Sequence, residues 1–259
     1  MSHTGDHGET VTVLASADAV AREAAGLVAR LAREAADLRG RFTVALSGGS
    51  TPDRLYRLLA GDGGPAYRDA IPWNRVHVFF GDERHVAPTH PDSNYRLACE
   101  ALLSRVPVPA AQVHRVKAEH PDAAQVARAY EADLREAFAL ESFEVPSFDL
   151  LIQGIGADGH TASIFPGSDV VRERSRLVAA PWVEKLGAHR ITFTPPVLTN
   201  GRHVLVLAVG DGKAAVLRDV LEGTIDLDRL PAQLLRGSAG PVTWLLDRAA
   251  GSMLSRAAR

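Results

Sequence analysis

Cysteine is nearly absent from this chain of 259 residues, since Cys99 is the only one. A single cysteine cannot form an internal disulfide, and such scarcity is typical of proteins from reducing compartments. The amino-terminal residues also lack the long apolar run of a secretory signal. We therefore expect a cytoplasmic protein that does not associate with a membrane.

A marked charge of either sign is missing as well, because the formal net charge at pH 7 is -2. Broad binding to nucleic acids usually requires a basic excess, so we expect no nucleic-acid partner. Hydrophobic residues nevertheless make up 46% of the chain, which is enough to bury a full α/β core.

Several signatures of catalytic and cofactor chemistry are missing or incomplete. No Gly-x-Ser-x-Gly nucleophile elbow occurs, and no pair of the ten histidines has convincing zinc spacing. Gly210-Asp211-Gly212-Lys213 resembles a P-loop only superficially, because Ala214 replaces the magnesium-binding hydroxyl. Gly154-x-Gly156-x-x-Gly159 matches the dinucleotide fingerprint, but Pro166-Gly167 interrupts the helix that this motif must open. These patterns disfavour covalent serine catalysis and zinc, triphosphate or dinucleotide binding.

The chain does contain a regular alternation of apolar strands and helical segments. A polar tail, residues 1–10, precedes a strand at 11–14 and an alanine-rich helix from about 17 to 38. A helix at 122–140 and a late strand at 242–246 continue the pattern. We predict a three-layer α/β fold with a mostly parallel sheet and helices on both faces. Residues 11–259 would form one domain behind a flexible tail.

The most informative stretch is residues 148–163, an apolar strand that runs directly into a glycine turn carrying Asp158 and His160. Ligands of open α/β sheets bind beyond the carboxyl ends of strands. Histidine exchanges a proton near neutral pH, and the carboxylate can orient the imidazole or share its proton. We predict His160 and Asp158 as catalytic residues. Ser163, one helical turn further on, is expected to cap or pack.

A second strand, at residues 42–46, ends in Ser47-Gly48-Gly49-Ser50-Thr51-Pro52. Proline suits the first turn of a helix, and the hydroxyls and glycine amides converge on the positive end of that helix. An ordinary capped turn is the alternative, but two glycines flanked by three hydroxyl residues exceed what capping needs. We predict an anion cradle here, most simply for a phosphate.

Charged residues follow two further strands. Asp82, Glu83 and Arg84 come directly after Gly81, where three ionisable residues would by default form a solvated loop. Their position at a strand end argues for a role, because Arg84 can hold an anionic oxygen and Asp82 can position Arg84 or a sugar hydroxyl. Lys213, at a helix start after the strand at 203–209, can meet a phosphate.

Six motifs occur in order over nearly the whole chain: Leu46-Ser47-Gly48-Gly49-Ser50-Thr51-Pro52, Gly81-Asp82-Glu83-Arg84-His85-Val86, Ser93-Asn94-Tyr95, residues 154–167, Arg190-Ile191-Thr192 and Gly212-Lys213-Ala214. Together they closely resemble the bacterial 6-phosphogluconolactonase family. The resemblance implies hydrolysis of 6-phospho-D-glucono-1,5-lactone in the oxidative pentose phosphate pathway, without a cofactor or metal. It also implies a Rossmann-like fold shared with glucosamine-6-phosphate deaminase and ribose-5-phosphate isomerase.

The expected partner is therefore a small sugar phosphate lactone, bound by a monomer or weak homo-oligomer. With the resemblance, Arg190 becomes a phosphate contact; without it, a surface arginine at the start of a strand would be the simpler reading. Arg190 joins Lys213, the amides of Gly48 and Gly49, and the hydroxyls of residues 47–51 around the phosphate.

Lactone hydrolysis requires a positioned water, a base and stabilisation of the developing oxyanion. His160 can take a proton from water as it attacks C1, then return one to the ring oxygen as the C1–O5 bond breaks. Arg84 stabilises the carbonyl oxygen or orients the sugar, and Asp158 supports the loop or the imidazole. Both alternatives stay open.

Two other functions share parts of this pattern. Deaminases resemble the chain at Asp158 and His160, but they carry a glutamate where Phe165 stands and a tyrosine in place of Arg84. Both differences favour the lactonase. Related folds also serve as non-catalytic sugar-phosphate sensors of transcription regulators, yet no helix-turn-helix precedes the first strand here.

Overall fold

The computed structural model describes residues 8–255, which build a six-stranded parallel sheet and a smaller antiparallel sheet. The strands are β1 (Glu9–Leu14), β2 (Phe42–Leu46), β3 (Val76–Phe80), β4 (Asp82–Arg84), β5 (Leu150–Gly154), β6 (Val178–Ala179), β7 (Trp182–Val183), β8 (Ala188–Phe193), β9 (Val204–Ala208) and β10 (Val242–Asp247). The α-helices are α1 (Ala17–Arg39), α2 (Ser50–Leu59), α3 (Ala66–Ala70), α4 (Asn94–Ala98), α5 (Ala123–Phe138), α6 (Pro195–Leu198) and α7 (Ala214–Glu222).

The parallel sheet has the order β1-β10-β9-β5-β2-β3. From β2 the chain continues outward to β3, whereas β5 lies on the other side of β2, so the winding direction reverses between β2 and β5. In doubly wound sheets such a reversal opens a crevice at the carboxyl ends of the strands. The fold therefore places residues 47–49 and 155–160 at one crevice, and it confirms the predicted three-layer α/β class.

Helix α1 shows why the sheet is covered closely. Its inward face is made of small side chains such as Ala24, Ala25 and Ala32, all fully buried. Alanine gives the helix high intrinsic stability and lets it approach β10 and β2 closely. Elsewhere in the core, Trp244 and Phe79 are fully or almost fully buried. Each large buried side chain contributes about 1.5 to 3 kcal/mol.

One predicted boundary needs correction, and one default expectation is excluded. Strand β1 begins at Glu9, so Glu9 and Thr10 pair with β10 instead of belonging to the polar tail. The remainder of that predicted tail, residues 1–7, lies outside the described residues. Residues 82–84 are not a solvated loop: they form β4, which pairs antiparallel with β8. None of the helices within residues 8–255 is long and apolar enough to cross a membrane.

Candidate active site

The strand ends enclose a cavity of about 220 Å³ that collects most of the predicted site residues. Three cavities are larger: two lie elsewhere and contain none of these residues, and the third, of about 500 Å³, is lined by Asp158 together with Phe165 and Lys185. Four predicted site residues do not line the cavity: Ser50, Thr51, Asp158 and Arg190. Five residues that were not predicted as site residues do line it: Asn94, Gly154, Ile155, Gly156 and Ala162. The predicted residues that do line it are Ser47, Gly48, Gly49, Asp82, Arg84, His160 and Lys213.

The turn after β5 holds His160 against Asp158. The Gly156 amide donates to the His160 carbonyl at 2.8 Å, and Gly159 adopts a φ of +85° that favours glycine. A Cβ on Gly156 would stand 2.0 Å from His160 Nδ1, so only glycine leaves room for the ring. His160 Nδ1 lies 2.5 Å from Asp158 Oδ1. This bond assigns the Nδ1 proton and leaves Nε2 as the basic nitrogen.

Lys185, which was not predicted, completes this cluster. It follows β7 and forms an ion pair with Asp158 Oδ2, and its Nζ lies 4.4 Å from the centroid of the Phe165 ring. The Phe165 ring in turn lies 4.3 Å from the His160 ring, centroid to centroid. Burial by itself would raise the pKa of Asp158, but the hydrogen bonds from Lys185 and His160 hold it well below its usual range. Asp158 is thus an anion that orients the imidazole.

The predicted phosphate cradle is formed by the start of α2. Gly49 is the N-cap residue, with a φ of 108° and no side-chain capping bond, so backbone amides are presented at the positive end of the helix. The Tyr56 hydroxyl fixes Ser47 by donating to its carbonyl at 2.7 Å and accepting from its amide at 2.9 Å. Ser50 and Thr51 lie in the first turn of α2, away from the cavity lining.

Three cations lie near this cradle: Arg84 and Lys213 on the cavity wall, and Arg190 on β8. Arg84 and Arg190 are direct partners in the β4–β8 register. Burial and the charge of Arg84 lower the pKa of Arg190, and burial lowers the pKa of Lys213 against the opposing charge of Asp158. Arg84 also donates to the backbone carbonyl of Asp92. Two adjacent guanidiniums and a half-buried ammonium form a site that favours an anion.

Glu83 is a second residue whose role the sequence did not show. It is only 2% exposed, and its carboxylate accepts hydrogen bonds from the amides of Arg84, Asn94 and Tyr95 and from the Ser93 hydroxyl. Burial raises its pKa, whereas the three amide bonds oppose the rise. Glu83 faces away from the cavity and fixes the segment that carries Asn94 to the cavity wall.

Ser163 does not pair with His160. Its hydroxyl donates to Asp82 Oδ2 at 2.6 Å, and the surrounding residues form turns instead of a helix. This contact agrees with the prediction that Ser163 is not a nucleophile, but the expected local capping or packing is wrong, because Asp82 lies 81 residues away in the sequence. Within residues 8–255 no group of three or more histidine, cysteine, aspartate or glutamate side chains is placed to hold a metal ion.

Comparison with known proteins identifies the family. The family model for glucosamine-6-phosphate isomerases/6-phosphogluconolactonase matches residues 15–244. The chain belongs to this family. A family relative, the 6-phosphogluconolactonase of Synechocystis sp., is 40% identical over 216 residues, which are 83% of this chain and 86% of the relative. The human 6-phosphogluconolactonase is 40% identical over 250 residues, 95% of this chain and 93% of its own.

Solved structures of the family agree. The 6-phosphogluconolactonase of Trypanosoma brucei superposes with a TM-score of 0.84 at 30% identity, covering 96% of this chain and 100% of its own. A monomeric glucosamine-6-phosphate deaminase gives a TM-score of 0.78 at 20% identity, covering 94% of this chain and 99% of its own. The latter likeness shows a shared fold only. The resemblance seen in the six motifs is confirmed.

Proposed function

We propose that this protein hydrolyses 6-phospho-D-glucono-1,5-lactone to 6-phospho-D-gluconate in the oxidative pentose phosphate pathway. The Asp158–His160 pair beside an anion cradle carries the proposal, together with relatives named 6-phosphogluconolactonase that match 83% to 95% of this chain. A lactone is an activated ester, so one base and an electropositive cavity are sufficient chemistry.

His160 acts as the general base. With Nδ1–H held by Asp158, Nε2 removes a proton from water as the water oxygen bonds to C1. The resulting imidazolium, facing the Asp158 carboxylate, then donates that proton to O5 as the C1–O5 bond breaks. Because one imidazole accepts and returns the proton, each turnover leaves His160 neutral and Asp158 ionised.

Arg84 stabilises the negative charge that develops on the C1 oxygen, and Asp82 orients the sugar. The C6 phosphate binds the amides of Gly48 and Gly49 with the Ser47 hydroxyl and Lys213, all on the cavity wall. Arg190 contributes its charge from the position opposite Arg84 in the β4–β8 register. The first-turn hydroxyls of α2 take no direct part.

Phe165 is the observation that favours hydrolysis over deamination. The Phe165 ring packs against the His160 ring. Deaminases share the Asp-Gly-His turn with this chain, but they carry a glutamate where Phe165 stands. Moving a proton from C2 of a sugar requires a second base, and an aromatic ring supplies none. The protein is further proposed to act in the cytoplasm as a monomer or weak homo-oligomer, with a single domain that begins at strand β1.

The test is lactone hydrolysis by purified protein above the spontaneous background, measured as acid release. Glucosamine 6-phosphate should yield no ammonia, and EDTA should leave the rate unchanged. Ammonia release at a rate comparable with lactone hydrolysis would instead establish the deaminase, while binding of sugar phosphates without turnover of either compound would establish a sensor.

A further inference from the structure

Ser163 binds the turn that follows β5 to β4. This turn, residues 155–163, carries Asp158 and His160 and is called the catalytic turn below. Ser163 lies three residues after His160 and is only 1% exposed. Besides the hydroxyl bond to Asp82, its amide donates to Thr192 Oγ1 at 3.2 Å, on β8 next to Asp82. The turn that carries the base is therefore fixed to the β4–β8 pair by two bonds from one residue.

The same Asp82 carboxylate is joined to the phosphate cradle. Asn94 Nδ2 donates to Asp82 Oδ1 at 3.2 Å and to the Asp82 carbonyl at 2.9 Å. The Asn94 Oδ1 atom lies directly against Gly48, since a Cβ on that glycine would stand 1.9 Å from it. A continuous path of contacts thus runs from Gly48 through Asn94 and Asp82 to Ser163.

The middle of this path cannot relax easily. Asn94 is 2% exposed, and its backbone amide donates to the buried Glu83 carboxylate at 2.7 Å. Within the described residues, Asn94 Oδ1 has no hydrogen-bond partner and depends on its packing against Gly48. Buried polar groups in such a network hold defined positions, because any displacement leaves an unpaired donor or acceptor.

We propose that Ser163 is a positioning residue that couples the phosphate cradle to the catalytic turn. This proposal rests on the proposed function, and it adds that the substrate's phosphate helps to position the reacting atoms as well as to bind the substrate. Binding at a remote group raises kcat only when the intervening structure is rigid enough to place the reacting atoms. Through Ser163, a phosphate seated at Gly48 sets the distance between C1 and His160. A lactone without phosphate gains nothing from this link.

The kinetic test compares the parent protein with Ser163→Ala on 6-phosphogluconolactone and on unphosphorylated gluconolactone. We expect kcat on the phosphorylated lactone to fall roughly 10- to 100-fold, the scale of a small misplacement of reacting groups. The rate on gluconolactone should fall by a smaller factor, because no bound phosphate positions that substrate, so the ratio of the two lactone rates should drop. Equal losses on both lactones, or losses below twofold on both, would overturn the proposal.

Ser238→Ala is the matched control. Ser238 is also buried, at 6% exposure, and donates one hydroxyl bond, to the Leu235 carbonyl at 2.7 Å, away from the cavity. It should cost similar thermal stability while leaving the ratio of the two lactone rates unchanged. A changed ratio in Ser238→Ala would show that the ratio reports general loosening, and would count against the proposal.

A second measurement does not depend on turnover. Inorganic phosphate should slow hydrogen exchange of the amides at residues 160–164 in the parent, but not in Ser163→Ala. Asn94→Asp, which replaces the donor to Asp82 with a like charge, should also lose the response. No slowing in the parent would refute the coupling. A parent inactive on both lactones would refute the proposed function, while the exchange data would still decide the coupling.

Discussion

At the scale of single residues, the proposed mechanism needs a proton carrier, His160, whose ring is held by Asp158. Among the described residues, His160 carries the only imidazole on the cavity wall, and His160→Ala removes it. We expect kcat to fall by about 10²- to 10⁴-fold with little change in KM, because a general base acts on the transition state. Steady-state kinetics on the phosphorylated lactone measure this effect. Activity within twofold of the parent would exclude His160 as the base.

Lys185 acts on the same proton through Asp158. Lys185→Met should lower kcat about 10-fold on both lactones with KM unchanged, and Lys185→Arg should restore most of the loss. Removing this cation takes a positive charge away from Asp158 Oδ2, so the Asp158–His160 pair keeps its proton more easily. The acidic limb of kcat/KM therefore moves to higher pH. A loss confined to the phosphorylated lactone would instead make Lys185 a phosphate ligand.

Site residues could be predicted from the sequence where their role depends on local position, and not where it depends on partners remote in sequence. Asp158, His160 and Ser47 each follow an apolar strand directly, so local pattern and strand-end geometry were enough to find them. Lys185 and Glu83 act through partners remote in sequence: Lys185 lies 27 residues from Asp158, and Glu83 binds a segment 10 to 12 residues further on. Only the folded chain brings those groups together.

At the scale of elements, the catalytic turn works because Gly156 leaves space for the imidazole. Gly156→Ala should displace His160 and lower kcat at least 10-fold, since its Cβ would stand 2.0 Å from Nδ1. Thermal stability should change little, because the turn lies at the cavity edge. Gly212→Ala is the control: nothing lies within 4 Å of that Cβ and its φ is not positive. Comparable activity of the two variants would contradict this account.

Strand β4 is an element that the sequence pattern did not predict. Strand and helix positions in the parallel sheet could be read from apolar periodicity, and α5 ends within two residues of its predicted end. Residues 82–84 carry three charges and no apolar residue, which is the usual composition of a loop. They form a strand because β8 supplies backbone partners and because four donors satisfy the buried Glu83 carboxylate.

At the scale of the whole molecule, partly buried histidines that favour the neutral form set the acid limit of stability. Burial lowers the pKa of His203 from 6.5 to about 4, and also lowers the pKa of His77 and His114. The unfolded chain then binds more protons below about pH 6.5. Stability is fully present above that pH and declines as pH falls toward 4.

Thermal melts between pH 7 and 4 should show this decline in Tm. His203→Gln should flatten part of it, because glutamine can keep a bond to Thr243 Oγ1, now 2.9 Å from His203 Nε2, without taking up a proton. A slope identical to that of the parent would assign the acid sensitivity to other groups.

The register of β4 against β8 sets two arginines, Arg84 and Arg190, directly opposite each other. Like charges in that arrangement repel, and the charge of Arg84 helps to lower the pKa of Arg190, so a phosphoester bound as proposed would relieve this repulsion. Ligand occupancy therefore protects the fold itself, by an amount that grows with the logarithm of ligand concentration. Cells rich in sugar phosphates would lose this protein to unfolding and proteolysis more slowly than starved ones.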